Sequence, residues 1–144
     1  MIVVFDASSL VGAALRTGGV PETALLTVID QGTPVVSREV VAEYRAVLRR
    51  PKFGRALSAE RRESILELIE VVTRRVEPVE LIADCRDPKD NMYLALAAAC
   101  GATILVSSDA DLLVLDPWRG MRIVTPTEFL ALKAAVKPVQ PGTQ

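Results

Sequence analysis

Two aspartates each follow a short apolar run, and this repeated pattern is the feature of the sequence with the clearest chemical meaning. Asp6 follows residues 2–5, and Asp109 follows residues 104–108. Short β-branched runs bounded by turn residues are typical of buried strands, and parallel sheets bind ligands just beyond the carboxyl ends of their strands. We therefore expect both carboxylates at strand tips, on the side of a sheet where ligands bind.

Two further acids, Glu43 and Asp90, lie on predicted helices and are candidates to join them. Asp90 starts a helix that is apolar on nearly all sides and shares a stripe with Leu94 and Ala97, which predicts that it points inward. A buried carboxylate without a partner is costly. Four carboxylates within a few ångströms repel one another and raise their pKa values unless a cation balances them. The pattern therefore predicts a bound divalent ion.

The chain contains no histidine. This excludes histidine general bases, Ser-His-Asp triads and zinc sites built on imidazole. An all-oxygen ligand set favours hard ions, Mg²⁺ or Mn²⁺. Because magnesium is usually completed by waters and substrate phosphates, such a site predicts phosphodiester cleavage, in which the ion lowers the pKa of a bound water.

Supporting positions surround these acids in the sequence. Ser8 and Ser107 are placed to hydrogen-bond the carboxylates or a metal-bound water, and Asp111 is a candidate for an outer-shell water or a second ion. Asp87 is the chief rival of Asp90 for the metal. Asp90 has a second interpretation, as the N-cap of its helix.

Strand-like runs alternate with helical ones along the chain, which predicts an α/β domain with a mainly parallel sheet of four or five strands flanked by helices. At 144 residues the chain fits one domain, predicted at 1–136 with a flexible tail at 137–144. The predicted strands are residues 2–5, 34–36, 76–81, 103–107 and 122–124; the predicted helices are residues 8–15 (capped by Ser8 and Ser9), 21–31, 38–50, 58–73, 90–100 and 126–136.

The composition of the chain bears on its predicted assembly and cellular location. Half of the residues are hydrophobic and the mean hydropathy is +0.30, which favours an apolar self-association surface and a homodimer or larger assembly. Cys85 and Cys100 are predicted to be reduced thiols of a cytoplasmic protein. The amino terminus lacks the pattern of a signal peptide, and the longest apolar stretch, about 92–106, is too short and interrupted to span a bilayer.

Five segments together resemble the PIN-domain nucleases, over about residues 2–132. Residues 3–8 resemble the opening strand of that family, and residues 37–53 resemble the helix carrying its second acid. Residues 87–97 are similar to the helix with the third acid, residues 105–113 to the segment with the fourth, and residues 123–130 to the closing segment. Each motif is short, but their order is that of the family.

The resemblance implies a PIN-like three-layer sandwich and favours the VapC-like toxins of toxin-antitoxin pairs. It implies that Asp6, Glu43, Asp90 and Asp109 are the metal-binding quartet of a Mg²⁺-dependent ribonuclease, and that a cognate antitoxin is a partner. Two departures stand out. The family commonly has Thr after its first Asp and Thr-Gly or Thr-Ser before its fourth, whereas this chain has Ala7 and Ser107-Ser108.

A ribonuclease must also hold the RNA backbone, yet the net charge of −1 gives no general attraction to a polyanion, so any contact must be local. The densest positive cluster follows Glu43, and we predict that its members Arg49, Arg50, Lys52 and Arg55 engage RNA. The equally weighted alternative is that they are solvated helix ends. Trp118, the only tryptophan, either stacks a base or covers the core, and we favour the second.

Two other classes of function fit acids at strand tips. A phosphoryl-transfer enzyme or phospho-receiver domain usually has paired acids at its first strand, which residues 6–8 do not supply. A non-catalytic interaction module with a vestigial cleft is the third class. We expect the nuclease, with Asp6, Asp90 and Asp109 positioning the ion and Glu43 binding a second ion or orienting the attacking water.

Overall fold

A five-stranded parallel sheet forms the centre of the protein in a computed structural model that describes residues 1–135. The strands are β1 (Ile2–Phe5), β2 (Thr33–Val36), β3 (Arg74–Arg75), β4 (Ile104–Val106) and β5 (Arg122–Val124). The helices are α1 (Ala7–Leu15), α2 (Val20–Gln31), α3 (Arg38–Leu48), α4 (Ala59–Val72), α5 (Asn91–Cys100), α6 (Ala110–Leu113) and α7 (Pro126–Ala135). The predicted α/β class is confirmed, with five strands.

The strand order β3-β2-β1-β4-β5 places the first strand in the middle of the sheet. The chain moves outward from β1 on one side and then restarts on the other, so the order reverses between β1 and β4. In open parallel sheets, ligands bind at this reversal point, beyond the carboxyl ends of the two strands. Phe5 pairs with Val106 there, and the Asp6 N–H donates to the Val106 carbonyl at 3.0 Å.

The central strands are almost completely buried, as their apolar sequences predict. Val3, Val4, Leu105 and Val106 have no exposed surface, because helices cover the sheet and contribute to one hydrophobic core. Tyr44 ties α3 to the sheet by donating its buried hydroxyl to the Phe5 carbonyl. The last residue of β1 is therefore held from both sides, immediately before Asp6.

The predicted third strand was wrong in position. β3 is only Arg74–Arg75, at the sheet edge, and residues 76–81 lie outside it. Pro78 lacks the N–H that a longer ladder requires. Val79 and Leu81, which made the segment look like a strand, are 95% and 101% exposed, so their apolar character reflects no burial in this chain.

The helices follow their predicted ranges to within two residues, except that α6 was not predicted. The first helix is capped by Asp6, whose carboxylate accepts the Ser9 N–H, and not by Ser8 or Ser9 as predicted. α5 ends at Gly101 with φ of +68°, as glycine allows. α7 begins with the predicted capping box, in which Thr125 and Glu128 exchange hydrogen bonds of 3.1 and 3.3 Å.

Trp118 covers the core, which confirms the favoured interpretation. It is 7% exposed, and its indole N–H donates to Asp84 at 2.8 Å. Cys85 and Cys100 are free thiols. Within residues 1–135, none of the helices combines the length and apolar character needed to traverse a bilayer. The predicted tail at 137–144 lies outside the described residues.

Candidate functional site

A cleft of about 370 Å³ opens beside the reversal point of the sheet. Its wall contains the four predicted acids together with Asp87, and three cationic side chains. The lining acids are Asp6, Glu43, Asp87, Asp90 and Asp109, and the cations are Arg50, Lys52 and Lys89. Acids from four separate parts of the sequence therefore share one cleft, as their positions on strand tips and helices predicted.

Asp6 forms the floor of the cleft and is only 2% exposed. Its carboxylate accepts the Ser9 N–H at 2.9 Å and the Ser8 hydroxyl at 2.8 Å, and the Ser107 hydroxyl donates to its Oδ2. Burial raises the pKa of Asp6, and the donors from Ser107, Ser9 and Ser8 oppose that rise. The carboxylate is thus held in one orientation by groups that favour its charged form.

Ser8 and Ser107 also join the two strand tips to each other. The Ser8 hydroxyl accepts the Ser108 N–H at 3.1 Å, and the Ser107 hydroxyl accepts the Asp109 N–H at 2.9 Å. Each hydroxyl therefore donates to Asp6 and accepts from the loop that carries Asp109. The predicted hydrogen bonds to a carboxylate are present, and serine supplies the hydroxyls although Ala7 has none.

The buried one of these two serines should matter more for stability. We predict that Ser107→Ala lowers the free energy of unfolding by about 1–3 kcal/mol, because it leaves a buried acceptor and a backbone donor without a hydrogen-bond partner. The matched change at exposed Ser8 should cost less. Because Ser107 lowers the pKa of Asp6 and so favours its ionised form, its loss should cost more at high pH than at low pH.

Urea unfolding of both variants across a range of pH measures these effects. An equal cost for the two variants, or a cost for Ser107→Ala that does not depend on pH, would contradict the role assigned to the buried hydroxyl.

Asp90 is the least satisfied acid of the cleft. Its Oδ2 atom is buried without a hydrogen-bond partner among the described residues. The pKa of Asp90 is raised to about 7. Burial is the largest cause, and the neighbouring acids Asp109, Asp87 and Asp6 add to it. Although it stands at the N-cap position of α5, its side chain makes no capping hydrogen bond. Asp87 instead caps the preceding 3₁₀ turn by accepting the Lys89 N–H at 3.1 Å.

The remaining two acids have partners of their own. Asp109 caps α6 by accepting the Asp111 N–H at 2.9 Å, and its carboxyl group lies close enough to Asp90 to raise that pKa. Glu43, 25% exposed, faces Arg50 across 3.8 Å. Both acids therefore reach the cleft while keeping one contact within the protein.

The acids line one cleft, but their carboxylates are not drawn together around a point. Within residues 1–135, no three acidic, histidine or cysteine side chains are grouped closely enough to hold one ion. Asp6 faces its serine donors and Glu43 faces Arg50, which separates like charges. The orphaned oxygen of Asp90 and its raised pKa mark the place where a cation would relieve the repulsion, so the donor set fits a hard divalent ion.

The structure places some of the predicted supporting residues at the cleft and others away from it. Ser8 and Asp87 line the cleft and Ser107 lies beneath it, whereas Asp111 is absent from the lining. Of the predicted RNA-binding residues, Arg50 and Lys52 line the cleft. Arg49 and Arg55 do not; Arg49 lies 3.7 Å from Glu63.

Two lining residues form a pattern that was visible in the sequence. Glu43 and Val47 are spaced i and i+4, which places them on one face of α3. Arg50 lies beyond the end of α3, in extended backbone at the start of the following 3₁₀ turn. Lys89 and Phe53 also line the cleft, although they were not predicted to.

Comparison with known proteins identifies the fold. PAE2754 from Pyrobaculum aerophilum aligns with 93% of this chain and 90% of its own, at 19% identity and a TM-score of 0.61. VapBC2 from Rickettsia felis, crystallised bound to a DNA fragment from its promoter, aligns with 85% of this chain and 97% of that chain, at 16% identity and a TM-score of 0.58. At these identities the likeness shows the fold alone.

No curated protein sequence matches the chain. A family model described as the PIN domain matches residues 2–111, which is most of the chain and includes all four predicted acids. PIN domains are generally nucleases, and the match supports the hydrolase class predicted from the sequence. The parallel sheet, the acid-lined cleft at its reversal point and this match agree, and the chain belongs to the PIN-domain family.

Proposed function

We propose that this protein is a divalent-metal-dependent endoribonuclease that hydrolyses RNA phosphodiester bonds. The observation that carries the proposal is the cleft at the reversal point of the sheet, which Asp6, Asp90 and Asp109 line together and where one buried oxygen of Asp90 lacks a partner among residues 1–135. A hard cation satisfies that oxygen and offsets the repulsion that raises the pKa of Asp90. Mg²⁺ is the proposed ion, with Mn²⁺ as its substitute.

The proposed roles follow from the contacts of each acid. Asp6 is held rigidly by three donors, which suits it to position the ion, and Asp90 and Asp109 lie beside it. Glu43 lies across the cleft on α3, where it would orient water or bind a second ion. When bound, the ion supplies positive charge that activates water and offsets charge developing on the phosphate.

A cation-lined wall is needed because an acidic cleft by itself repels RNA. Arg50, Lys52 and Lys89 line the same cleft as the five acids and are placed to contact phosphate groups. Binding of RNA would draw Arg50 from Glu43 toward the phosphate, and this exchange would free Glu43 for its proposed role.

We further propose that the protein is the toxin of a toxin-antitoxin pair and acts in the cytoplasm. The VapC-like order of its motifs supports this, as does the fold shared with VapBC2. An antitoxin would inhibit the protein by covering the cleft. Co-purification with the product of a neighbouring small gene, together with loss of RNA cleavage in the complex, would test the pairing.

A homodimer or higher homo-oligomer remains a prediction. Val71 and Val114 are 82% and 76% exposed, which adds to the apolar surface at Val79 and Leu81. Sedimentation at several protein concentrations measures the oligomeric state.

The function is tested by incubating the purified protein with a pool of single-stranded RNA of randomised sequence. We expect cleavage with Mg²⁺ or Mn²⁺, none with EDTA, and recovery when Mn²⁺ is restored. Single-stranded DNA of the same sequence pool establishes whether the 2′-hydroxyl is required. Metal-loaded protein that leaves the RNA pool intact at micromolar concentration would contradict the proposal.

Neighbouring arginines offer a matched test of RNA contact. Arg50 lines the cleft and Arg49 does not, so Arg50→Gln should weaken RNA binding while Arg49→Gln should leave it nearly unchanged. Loss of one phosphate contact should reduce the slope of log affinity against log salt by about 0.7. Titration of a fluorescent single-stranded RNA at several salt concentrations measures the slope. Equal effects of the two changes would favour solvated helix ends as the role of this cluster.

The two rival classes have distinct signatures. A phospho-receiver would be trapped by beryllium fluoride, whereas the proposed nuclease should show no such adduct. A non-catalytic module would gain no thermal stability from Mn²⁺, because it would have no site to saturate.

A further inference from the structure

Phe53 is exceptional among the aromatic residues of this chain. The other five, Phe5, Tyr44, Tyr93, Trp118 and Phe129, are all buried in the core. Phe53 alone is only partly buried, in the part of the chain that the structure describes, and it lines the acidic cleft. The ring packs in part against the hydrophobic core and lines the cleft with its remaining surface, which is therefore available to a ligand.

The backbone holds this ring in place before any ligand arrives. Two residues separate the end of α3 from Pro51, which starts a single 3₁₀ turn, and the Phe53 N–H donates to the Arg50 carbonyl at 3.0 Å. The Phe53 carbonyl in turn accepts the N–H groups of Ala56 at 3.1 Å and Leu57 at 2.8 Å. A ring on a fixed turn binds a flat ligand with little loss of conformational entropy.

The residues beside Phe53 carry the complementary charge. Lys52 places its ammonium 5.1 Å from the centre of the Phe53 ring, within the range of a cation–π contact. Arg50, at the start of the same turn, also lines the cleft. One short turn therefore presents a flat apolar surface and two positive charges, which match the base and the phosphates of a nucleotide.

We propose that Phe53 is a positioning residue of the nuclease, and that it stacks on one unpaired base next to the cleaved phosphodiester while Arg50 and Lys52 hold the adjoining phosphate. This inference rests on the proposed function. Because every base has a π face, the contact tolerates any sequence but requires a base that is out of a helix. The stack places the scissile phosphate over the acids.

The test uses an RNA of about twelve nucleotides that contains a cleavage site mapped from the randomised pool. Derivatives lacking the base at one flanking nucleotide at a time are compared with the intact RNA. With wild-type protein, one abasic position should lower kcat/KM by about 5- to 150-fold, the range of one base–aromatic stack, mostly through KM. Phe53→Leu should show the same loss on intact RNA and little further loss on that abasic RNA.

Conservative variants separate stacking from packing. Phe53→Trp and Phe53→Tyr keep a flat ring and should retain cleavage close to wild type, whereas Phe53→Leu keeps the apolar volume alone. The wild-type comparison of intact and abasic RNA needs no variant and so does not depend on how each variant folds.

Two results would overturn the inference. In the first, Phe53→Leu cleaves intact RNA as fast as wild type does. In the second, the kcat/KM of Phe53→Leu is lower than that of wild type by the same factor on every abasic RNA as on intact RNA. Both can occur only if wild-type protein cuts RNA, so they leave the proposed function standing. Failure of the wild-type protein to cut any RNA overturns the proposed function itself.

Discussion

Replacing Asp6 by Asn should abolish RNA cleavage and leave the fold intact. Asp6 is the most buried acid of the cleft and is fixed by donors from Ser8, Ser9 and Ser107. Removing its negative charge withdraws the group best placed to position a divalent ion. We expect kcat/KM to fall by at least about 10²- to 10³-fold, the scale of losing one preorganised electrostatic group.

The fold should survive because Asn reproduces most of these hydrogen bonds. Its carbonyl oxygen accepts the Ser9 N–H and so keeps the N-cap of α1. Its amide nitrogen takes the place of Oδ2, and the Ser107 hydroxyl has a second lone pair to accept from it besides the bond from Asp109. The substitution also removes a buried charge, so the melting temperature should stay within a few degrees of wild type.

The matched control is Asp30→Asn, an exposed position on α2 outside the cleft. It makes the same chemical change and should leave cleavage unaltered. RNA cleavage measured at low enzyme concentration, together with thermal unfolding of both variants, tests whether Asp6→Asn loses activity while keeping its fold. A folded Asp6→Asn protein that still cleaves would exclude Asp6 as an essential metal ligand.

The sequence predicted those features of the fold that leave a periodic signal. β1 and β4 are buried on both faces and therefore read as continuous apolar runs, so the acids that follow them were placed correctly. β3 was misplaced because Val79 and Leu81 are apolar yet exposed. Pro78 was the local signal against a strand, because proline lacks the N–H that a ladder requires.

The candidate site was predictable in composition but not in detail. Glu43 and Asp90 were placed at one cleft by helix stripes, whereas the ion pair of Glu43 with Arg50 depends on how the backbone turns after the end of α3. Asp6 serves at once as cleft floor and helix cap, a double role that its sequence neighbours did not reveal. Phe53 gave no signal because a single aromatic residue in a turn has no period.

Asp90→Asn should make the metal-free protein more stable at pH 8 while abolishing its response to metal. The pKa of Asp90 is raised from the ordinary 3.8 to about 7 in the folded state. Between these values the folded protein binds more protons than the unfolded chain, so this group makes stability fall as pH rises from about 4 to 7. Above about pH 7 Asp90 is ionised and lowers the stability of the folded protein by its full amount, and Asn removes this destabilisation.

The gain should be about 1–2 kcal/mol, a value discounted because solvent screens much of this side chain. For a chain of this size it corresponds to a rise of about 3–6 °C in melting temperature at pH 8. At pH 4 the two proteins should melt at nearly the same temperature, since Asp90 is then protonated in the folded state. A variant that is less stable than wild type at pH 8 would contradict the inference that Asp90 is a buried carboxylate repelled by its neighbours.

Metal binding should reverse the order of the two proteins, since only the wild type keeps the charge that holds the ion. At 100 times its dissociation constant, Mn²⁺ should stabilise wild type by about 2.7 kcal/mol and leave Asp90→Asn almost unchanged. The matched control is Asp87→Asn, because Asp87 lines the same cleft but caps a turn through the Lys89 N–H. Its Mn²⁺ response should persist, and loss of that response at Asp87 alone would transfer the ligand role from Asp90 to its neighbour.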